Sequence, residues 1–346
     1  MIATELPPHA RESVPAGEAE AIARVVEIAR RAFERDYAHV RPALRDQHPK
    51  SHGCVRAEFT VRADVPAELR HGLFAEPRTY PAWIRFSSSS SVPRPDSRRD
   101  ANGMSIKVCG VEGVKVLPAE RHETTQDFIV ANNRSFFCRN ASDYVELAAR
   151  MTEGRLLRFF LGPDPRRWRL HELANMLMAT QKPVSNPLRI RYWSQTPYAL
   201  GPHAVKYSAK PPGRRTGRTP LGSHPNALEQ AMAEQLRSGD ATFEFMVQRQ
   251  DDPAAMPVED PTIGWSERAA PFRTVATIHI PPQAFGSKPQ RDFAEALSYT
   301  PWHALPEHRP LGGINRIRGA VYEAISVLRH EANGVPRREP TGSETF

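Results

Sequence analysis

A change in hydrophobic period near residue 53 constrains the fold of this 346-residue chain more than any other feature. Before that point, residues 16–36 repeat apolar side chains at helical spacing, whereas residues 55–61 (VRAEFTV) alternate apolar and polar side chains like a half-buried strand. Further strand patterns are AWIRF (82–86), MSIKV (104–108), HAVKYSA (203–209), ATFEFMVQ (241–248) and RTVATIHIP (273–281). Because these strands do not alternate regularly with helices, they favour an antiparallel sheet or barrel with attached helices.

The remaining helical patterns lie between and after the strands. They cover residues 166–180, 226–237, 290–298 and 314–329. No apolar run approaches the roughly 20 residues that a membrane helix needs, and the first residues do not resemble a secretory signal. The three cysteines (Cys54, Cys109 and Cys138) show no paired spacing. We therefore expect reduced thiols in a cytoplasmic protein without a membrane span.

The net charge of +8 and the isoelectric point of about 9.6 indicate either a solvated basic surface or an anionic partner. The partner could be a nucleic acid, an acidic lipid or the carboxylates of a cofactor. No helix-turn-helix, zinc-finger or RNP-like motif accompanies the charge, so we expect no nucleic acid partner.

The last helix places an unusual set of side chains on one face. Arg318 precedes Tyr322 by four residues and Arg329 follows it by seven, so all three share that face. One interpretation is a tyrosine held by cation–π contacts at a surface. The other is a phenolate, which at neutral pH needs a pKa shift of about three units, or about 4 kcal/mol. A neighbouring arginine and a bound ferric ion could supply that shift, and tyrosine is the haem ligand of catalase.

Several segments in the first third resemble one family when they are taken in order. They are RDQHPKSHG (45–53), AWIRFSS (82–88), RRDANGMSIKV (98–108) and NNRSFF (132–137). Together with the last helix, they are similar to the catalase superfamily, and in particular to short bacterial catalase-related haem proteins and the allene oxide synthases. The resemblance covers roughly residues 40–330.

This resemblance implies an α+β fold in which helices surround an antiparallel β-barrel, with haem buried between barrel and helices. It divides the chain into an N-terminal helical arm (1–40), a haem domain (41–333) and a polar tail (334–346). The family's usual assembly makes a homo-oligomer possible, but the residues themselves do not indicate an oligomeric state.

The resemblance also assigns site residues. The distal base would be His48 or His52, with Ser87 bonded to it and Asn132 holding the peroxide. Arg45 and Lys50 fall in the family's register only with His48, although His52 stays open as the base. A metal site made of both histidines is disfavoured because Pro49 interrupts any helix between them. The haem would contact Arg45, Arg85, Phe136, Phe137, Tyr144, Arg318, Tyr322 and Arg329, with Tyr322 as the iron ligand.

The function implied is that of an enzyme, a ferric haem b oxidoreductase that uses hydrogen peroxide or an organic hydroperoxide. The alternatives are a hydroperoxide isomerase or peroxygenase in a biosynthetic pathway, and a haem-binding protein without turnover. The presence of His48, Asn132 and Ser87 favours an enzyme, since these residues have no evident use in a haem carrier.

Overall fold

An eight-stranded antiparallel β-barrel forms the centre of the protein in the computed structural model, which describes residues 12–213 and 224–346. The strands are β1 (Ser51–Val61), β2 (Thr79–Ser88), β3 (Asn102–Cys109), β4 (Thr125–Ala131), β5 (Tyr192–Trp193), β6 (Tyr198–Leu200), β7 (His203–Lys210), β8 (Ala241–Arg249) and β9 (Arg273–Ile280). Around the barrel the order is β1-β2-β3-β4-β5-β7-β8-β9, and β9 pairs with β1 to close it. The short strand β6 pairs only with β7 within the sheet. The predicted antiparallel barrel is therefore confirmed.

The interior of the barrel is packed with apolar side chains. The alternation in β1 turns Val55, Phe59 and Val61 inward, as the sequence predicts. Phe59 stacks on Phe128 of β4 with ring centroids 6.0 Å apart. Each such side chain contributes about 1.5–3 kcal/mol on burial. Because these side chains fill the interior, a cofactor has to bind outside the barrel or at its ends.

Helices cover the outside of the barrel. They are α1 (Glu18–Tyr37), α2 (Ala141–Thr152), α3 (Leu157–Phe160), α4 (Leu170–Thr180), α5 (Ala227–Ser238), α6 (Lys288–Ala296) and α7 (Gly313–Asn333). Helix α1 packs against both α2 and α7. None of the helices in the described ranges is long and apolar enough to cross a membrane.

Glycines define both ends of α7. Gly312 precedes the helix with a φ of +85°, and a Cβ there would lie 2.6 Å from the carbonyl oxygen of Val258. Gly334 ends the helix in the left-handed conformation, with a φ of +64°. The close approach at Gly312 fixes where α7 begins, and therefore which of its residues face the barrel.

The structure also corrects or adds to several predicted elements. The helix predicted over 166–180 begins only at Leu170, because residues 165–167 form a separate 3₁₀ turn that starts at a proline. Strand β4 and helix α2 were not predicted. Asn140 caps α2 by accepting a hydrogen bond from the amide of Asp143 at 2.9 Å, which is a signal that the sequence contains.

The polar segment 334–346 lies against the outside of the barrel. Glu339 accepts a hydrogen bond from the ammonium of Lys107 on β3 at 2.5 Å. Glu344 accepts one from the indole of Trp83 at 2.8 Å, and the ring of Phe346 lies 5.8 Å from the Trp83 ring. The charged end of the chain thus supplies partners for buried polar groups of β2 and β3.

Candidate active site

His48 and Ser87 lie together on the outer face of the barrel. His48 is in the loop before β1 and has a φ of +60°, which is uncommon for a residue other than glycine. Its Nδ1 atom is 3.0 Å from Oγ of Ser87 on β2. A Cβ at Gly103, which pairs with Ser87 from β3, would lie 2.7 Å from Cε1 of His48. The imidazole therefore rests on a stretch of backbone that only glycine leaves open.

His52 occupies a different position, within β1. Its Nε2 atom is 2.8 Å from Oγ of Ser88. Successive residues of a strand point to opposite faces, so Ser87 and Ser88 face opposite sides of β2. His48 shares the face of Arg85, whose guanidinium donates to the His48 carbonyl at 2.8 Å. The two histidines that the sequence left as alternatives are thus bound to serines on opposite faces of one strand.

Both histidines are neutral over a wide pH range. Burial lowers the pKa of His48 to about 4, and the positive charge of Arg85 acts in the same direction. Burial also lowers the pKa of His52 to about 4, although Asp96 opposes the shift. At neutral pH each ring therefore keeps one nitrogen with a lone pair.

The depressed pKa of His52 predicts a loss of stability in acid. An unfolded histidine binds a proton near pH 6.5, but folded His52 binds one only at about pH 4. The free energy of unfolding should therefore fall by about 3 kcal/mol for this residue as the pH falls through that window. Urea unfolding at several pH values between about 7 and 4 measures this dependence. His52→Gln should reduce the pH dependence and His122→Gln, at an exposed position, should keep it. If the free energy of unfolding depends on pH equally in the parent protein and in both variants, the prediction is contradicted.

Tyr322 and Arg318 contact each other on α7, as their spacing predicts. Nε of Arg318 donates to the hydroxyl of Tyr322 at 3.3 Å. Its Nη1 donates to Thr196 at 3.2 Å and to Asn315 at 3.1 Å. Although burial opposes the charge, the Tyr322 and Tyr198 hydroxyls raise the pKa of Arg318. Asn315 was missed by the sequence analysis, although its position three residues before Arg318 is a usable signal.

Three of the arginines predicted to contact haem lie around one acidic residue, Glu295 of α6. Nη1 of Arg45 is 2.5 Å from Oε2 of Glu295, and Nη2 of Arg85 is 3.7 Å from Oε1. Arg329 of α7 donates to the backbone carbonyls of Glu295 and Leu297. Although burial disfavours a charged carboxylate, the three arginines hold the pKa of Glu295 below its usual value. Glu295 was not predicted.

This cluster has more positive than negative charge. Burial and the neighbouring Arg45 lower the pKa of Arg85 to about 10 and that of Arg329 to about 9. Nε of Arg85 is buried and has no hydrogen-bond partner within the described ranges. Since three guanidinium groups and one carboxylate make up this cluster, two further carboxylates would balance the charge. The two propionates of a haem fit this requirement.

The predicted aromatic residues form one stack next to α7. The ring of Phe136 lies 4.6 Å from that of Phe137 and 6.4 Å from that of Tyr144. All three are only partly buried and pack against an apolar cluster that includes Ile317 and Val321 of α7. Burial raises the pKa of Tyr144, and Tyr322 is close enough to raise it further. The stack is therefore on the same side of the barrel as Tyr322 and could pack against a flat cofactor.

Asn132 is hydrogen bonded to the residue next to Gly103 and not to His48. Its carboxamide oxygen accepts from the amide of Asn102 at 3.1 Å, and its Nδ2 donates to the carbonyl of Ala179 at 3.1 Å. The neighbouring Asn133 is bonded to Ser135 and Asn175. The predicted role of Asn132 in holding a peroxide stays a prediction, and it would use the second hydrogen of Nδ2.

Comparison with known proteins supports the fold. No family model matches the sequence, and no curated protein matches it. Catalase A from Saccharomyces cerevisiae has a similar structure, with a TM-score of 0.65 and 18% sequence identity over 88% of this chain. For a fungal catalase the TM-score is 0.62 and the sequence identity is 17% over 90% of this chain. For a bacterial catalase the TM-score is 0.62 and the sequence identity is 16% over 95% of this chain. This chain spans 65%, 62% and 63% of the length of these three proteins, respectively. The protein therefore has a catalase-like fold.

Proposed function

We propose that this protein is a haem-dependent oxidoreductase that uses hydrogen peroxide or an organic hydroperoxide. The observation that carries the proposal is the arrangement of Arg45, Arg85 and Arg329 around a single carboxylate, which leaves two positive charges to be matched. Haem carries two propionates, and planar guanidinium groups bind carboxylates in a geometry that lysine does not offer. The catalase-like fold supports the same conclusion.

Tyr322 would hold the haem iron through its phenolic oxygen, with Arg318 as its hydrogen-bond donor. Nε of Arg318 donates to that oxygen at 3.3 Å, so the guanidinium fixes the position of the atom that would bind the iron. Thr196 and Asn315 hold the guanidinium in place. When bound, the haem supplies a redox-active iron that can exchange electrons with a peroxide.

His48 would move a proton between the two oxygens of a bound peroxide. When its Nδ1–H donates to Ser87, the lone pair lies on Nε2, which makes no hydrogen bond to residues 12–213 or 224–346. Nε2 can then take a proton from one peroxide oxygen and return it to the other. Arg85 holds the backbone carbonyl of His48, and Gly103 lies directly against the ring. Its low pKa keeps the base neutral down to about pH 4.

The proposal is tested by titrating the purified protein with haemin and then adding peroxide. We expect saturation at about one haem per chain, followed by oxygen release from hydrogen peroxide or consumption of cumene hydroperoxide. His48→Gln should keep the haem but lower turnover about 10²–10⁴-fold, the usual contribution of a general base. Haem binding without peroxide consumption would show a haem carrier instead of an enzyme. A protein that remains folded but binds no haem would overturn the whole proposal.

A further inference from the structure

A small pocket lies at one end of the barrel, on the side opposite His48. Its volume is about 130 Å³, and its wall includes Ser88 of β2 and Asn102 of β3. These two residues pair across the strands, directly next to the pair formed by Ser87 and Gly103. Because strand residues alternate between faces, Ser87 and Gly103 face His48 while Ser88 and Asn102 face the pocket. The pocket is therefore separate from the proposed haem site and is divided from it by a single layer of sheet.

The pocket is lined by more cations than anions. The cations are Arg94, Arg98, Arg99 and Lys182, and the anions are Asp96 and Asp100. Both aspartates are already bound within the protein. Asp96 lies 2.6 Å from the Lys50 ammonium, and Asp100 accepts hydrogen bonds from Ser89 and from the Ser90 amide at 2.7 and 2.9 Å.

Two of the arginines are available to a ligand. The guanidinium groups of Arg94 and Arg98 are exposed, and neither has an ion-pair or hydrogen-bond partner within residues 12–213 and 224–346. Such groups bind carboxylates or phosphates well because they present two donors in one plane. The rim of the pocket thus attracts an anion.

The floor of the pocket has an unsatisfied acceptor. Asn102 is 4% exposed, and its Oδ1 atom has no hydrogen-bond partner within the described ranges. Its Nδ2 atom donates to the carbonyl of Asp100, which fixes the carboxamide so that Oδ1 is the free end. A buried acceptor without a donor costs about 1–3 kcal/mol. A ligand that carries a hydroxyl group would satisfy it.

The remaining wall is apolar, and the volume limits the ligand. Pro95, Pro183, Val184 and Leu228 are the apolar residues that line the pocket. A volume of 130 Å³ is well below the roughly 300–1,000 Å³ of sites for drug-sized ligands. It suits a few carbon atoms joined to one charged group.

We propose that this pocket binds a small organic acid that carries a hydroxyl group. The carboxylate lies between Arg94 and Arg98, the carbon chain packs on the apolar wall, and the hydroxyl donates to Oδ1 of Asn102. The site does not require bound haem and does not depend on the proposed oxidoreductase activity.

Ligand-observed NMR titration of the purified protein tests this proposal, with 3-hydroxybutyrate as the probe and about 0.15 M salt to screen non-specific attraction. We expect saturable binding with a dissociation constant near 1 mM, which corresponds to about −4 kcal/mol. Butyrate, which lacks the hydroxyl, should bind about fivefold to tenfold more weakly. Methyl 3-hydroxybutyrate, which lacks the charge, should not bind.

Two double variants with the same change of charge are compared, one within the pocket and one outside it as the control. Arg94→Gln/Arg98→Gln should weaken binding of 3-hydroxybutyrate at least tenfold. Arg158→Gln/Arg166→Gln removes two exposed arginines that do not line the pocket, and it should leave binding unchanged. No binding by the parent protein at about 10 mM would overturn the proposal. Equal loss in both double variants, or inorganic phosphate binding as tightly as the hydroxy acid, would also overturn it because either result indicates general attraction by net charge.

Discussion

Replacing Tyr322 with phenylalanine is expected to lower haem affinity roughly a hundredfold or more and to abolish the absorption spectrum of a ferric tyrosinate. The substitution removes the only atom of this side chain that can bind iron, and it takes a hydrogen-bond acceptor from Arg318. Changes in residues that merely support a metal ligand already cost about 10–100-fold in affinity, so loss of the ligand should cost at least as much. Haemin titration followed by absorption spectroscopy measures both effects.

Tyr198→Phe is the matched control for this experiment. Tyr198 also acts on the charge of Arg318, but it belongs to β6 and is not on the face of α7 that carries Tyr322. The control should therefore keep the tyrosinate spectrum. If Tyr322→Phe keeps that spectrum too while circular dichroism shows both variants folded, the assignment of Tyr322 as the iron ligand is wrong.

The second large effect is expected at Lys107, whose replacement by methionine should reduce the free energy of unfolding by about 3–5 kcal/mol. The ammonium is completely buried and lies 2.8 Å from Asp127 and 2.5 Å from Glu339. Removing it would leave two buried carboxylates without their cation, and this costs more than the ion pair itself contributes. Urea unfolding of the parent and variant at neutral pH measures the difference.

Lys288→Met is the matched control, because it removes the same charge from an exposed position. Lys288 forms an ion pair with Asp292 at 2.6 Å, but their side chains are 86% and 64% exposed. Exposed pairs contribute about 0–1 kcal/mol, so Lys288→Met should have little effect on unfolding. If the two lysine variants are equally stable, the cluster around Lys107 does not stabilise the fold as its burial indicates.

The sequence alone predicted those parts of the structure that depend on neighbouring residues. Alternation in residues 55–61 predicts a strand with one buried face, and β1 has that face inside the barrel. The four-residue spacing of Arg318 and Tyr322 predicts contact on a helix, and the two side chains are hydrogen bonded. Strand and helix periods are local properties, so they can be found without knowledge of the remaining chain.

The sequence resemblance also named residues that the structure brings together across longer distances. His48 and Ser87 are 39 positions apart and lie within hydrogen-bond distance. Arg45, Arg85 and Arg329 meet around one carboxylate. The resemblance did not decide between His48 and His52. The structure distinguishes their positions, because successive serines of β2 bind them on opposite faces.

Only the tertiary structure decided how buried charges are matched. Glu295 lies 250 positions from Arg45, and Glu339 lies 232 positions from Lys107, so no periodic pattern connects these pairs. The closure of the barrel through the short strand β5 was likewise not predicted, because two residues are too few to show alternation. The periodicity of a sequence records which face of each element is buried. Which charge a buried group meets depends on how the elements pack, and that is decided by the free energy of the whole fold.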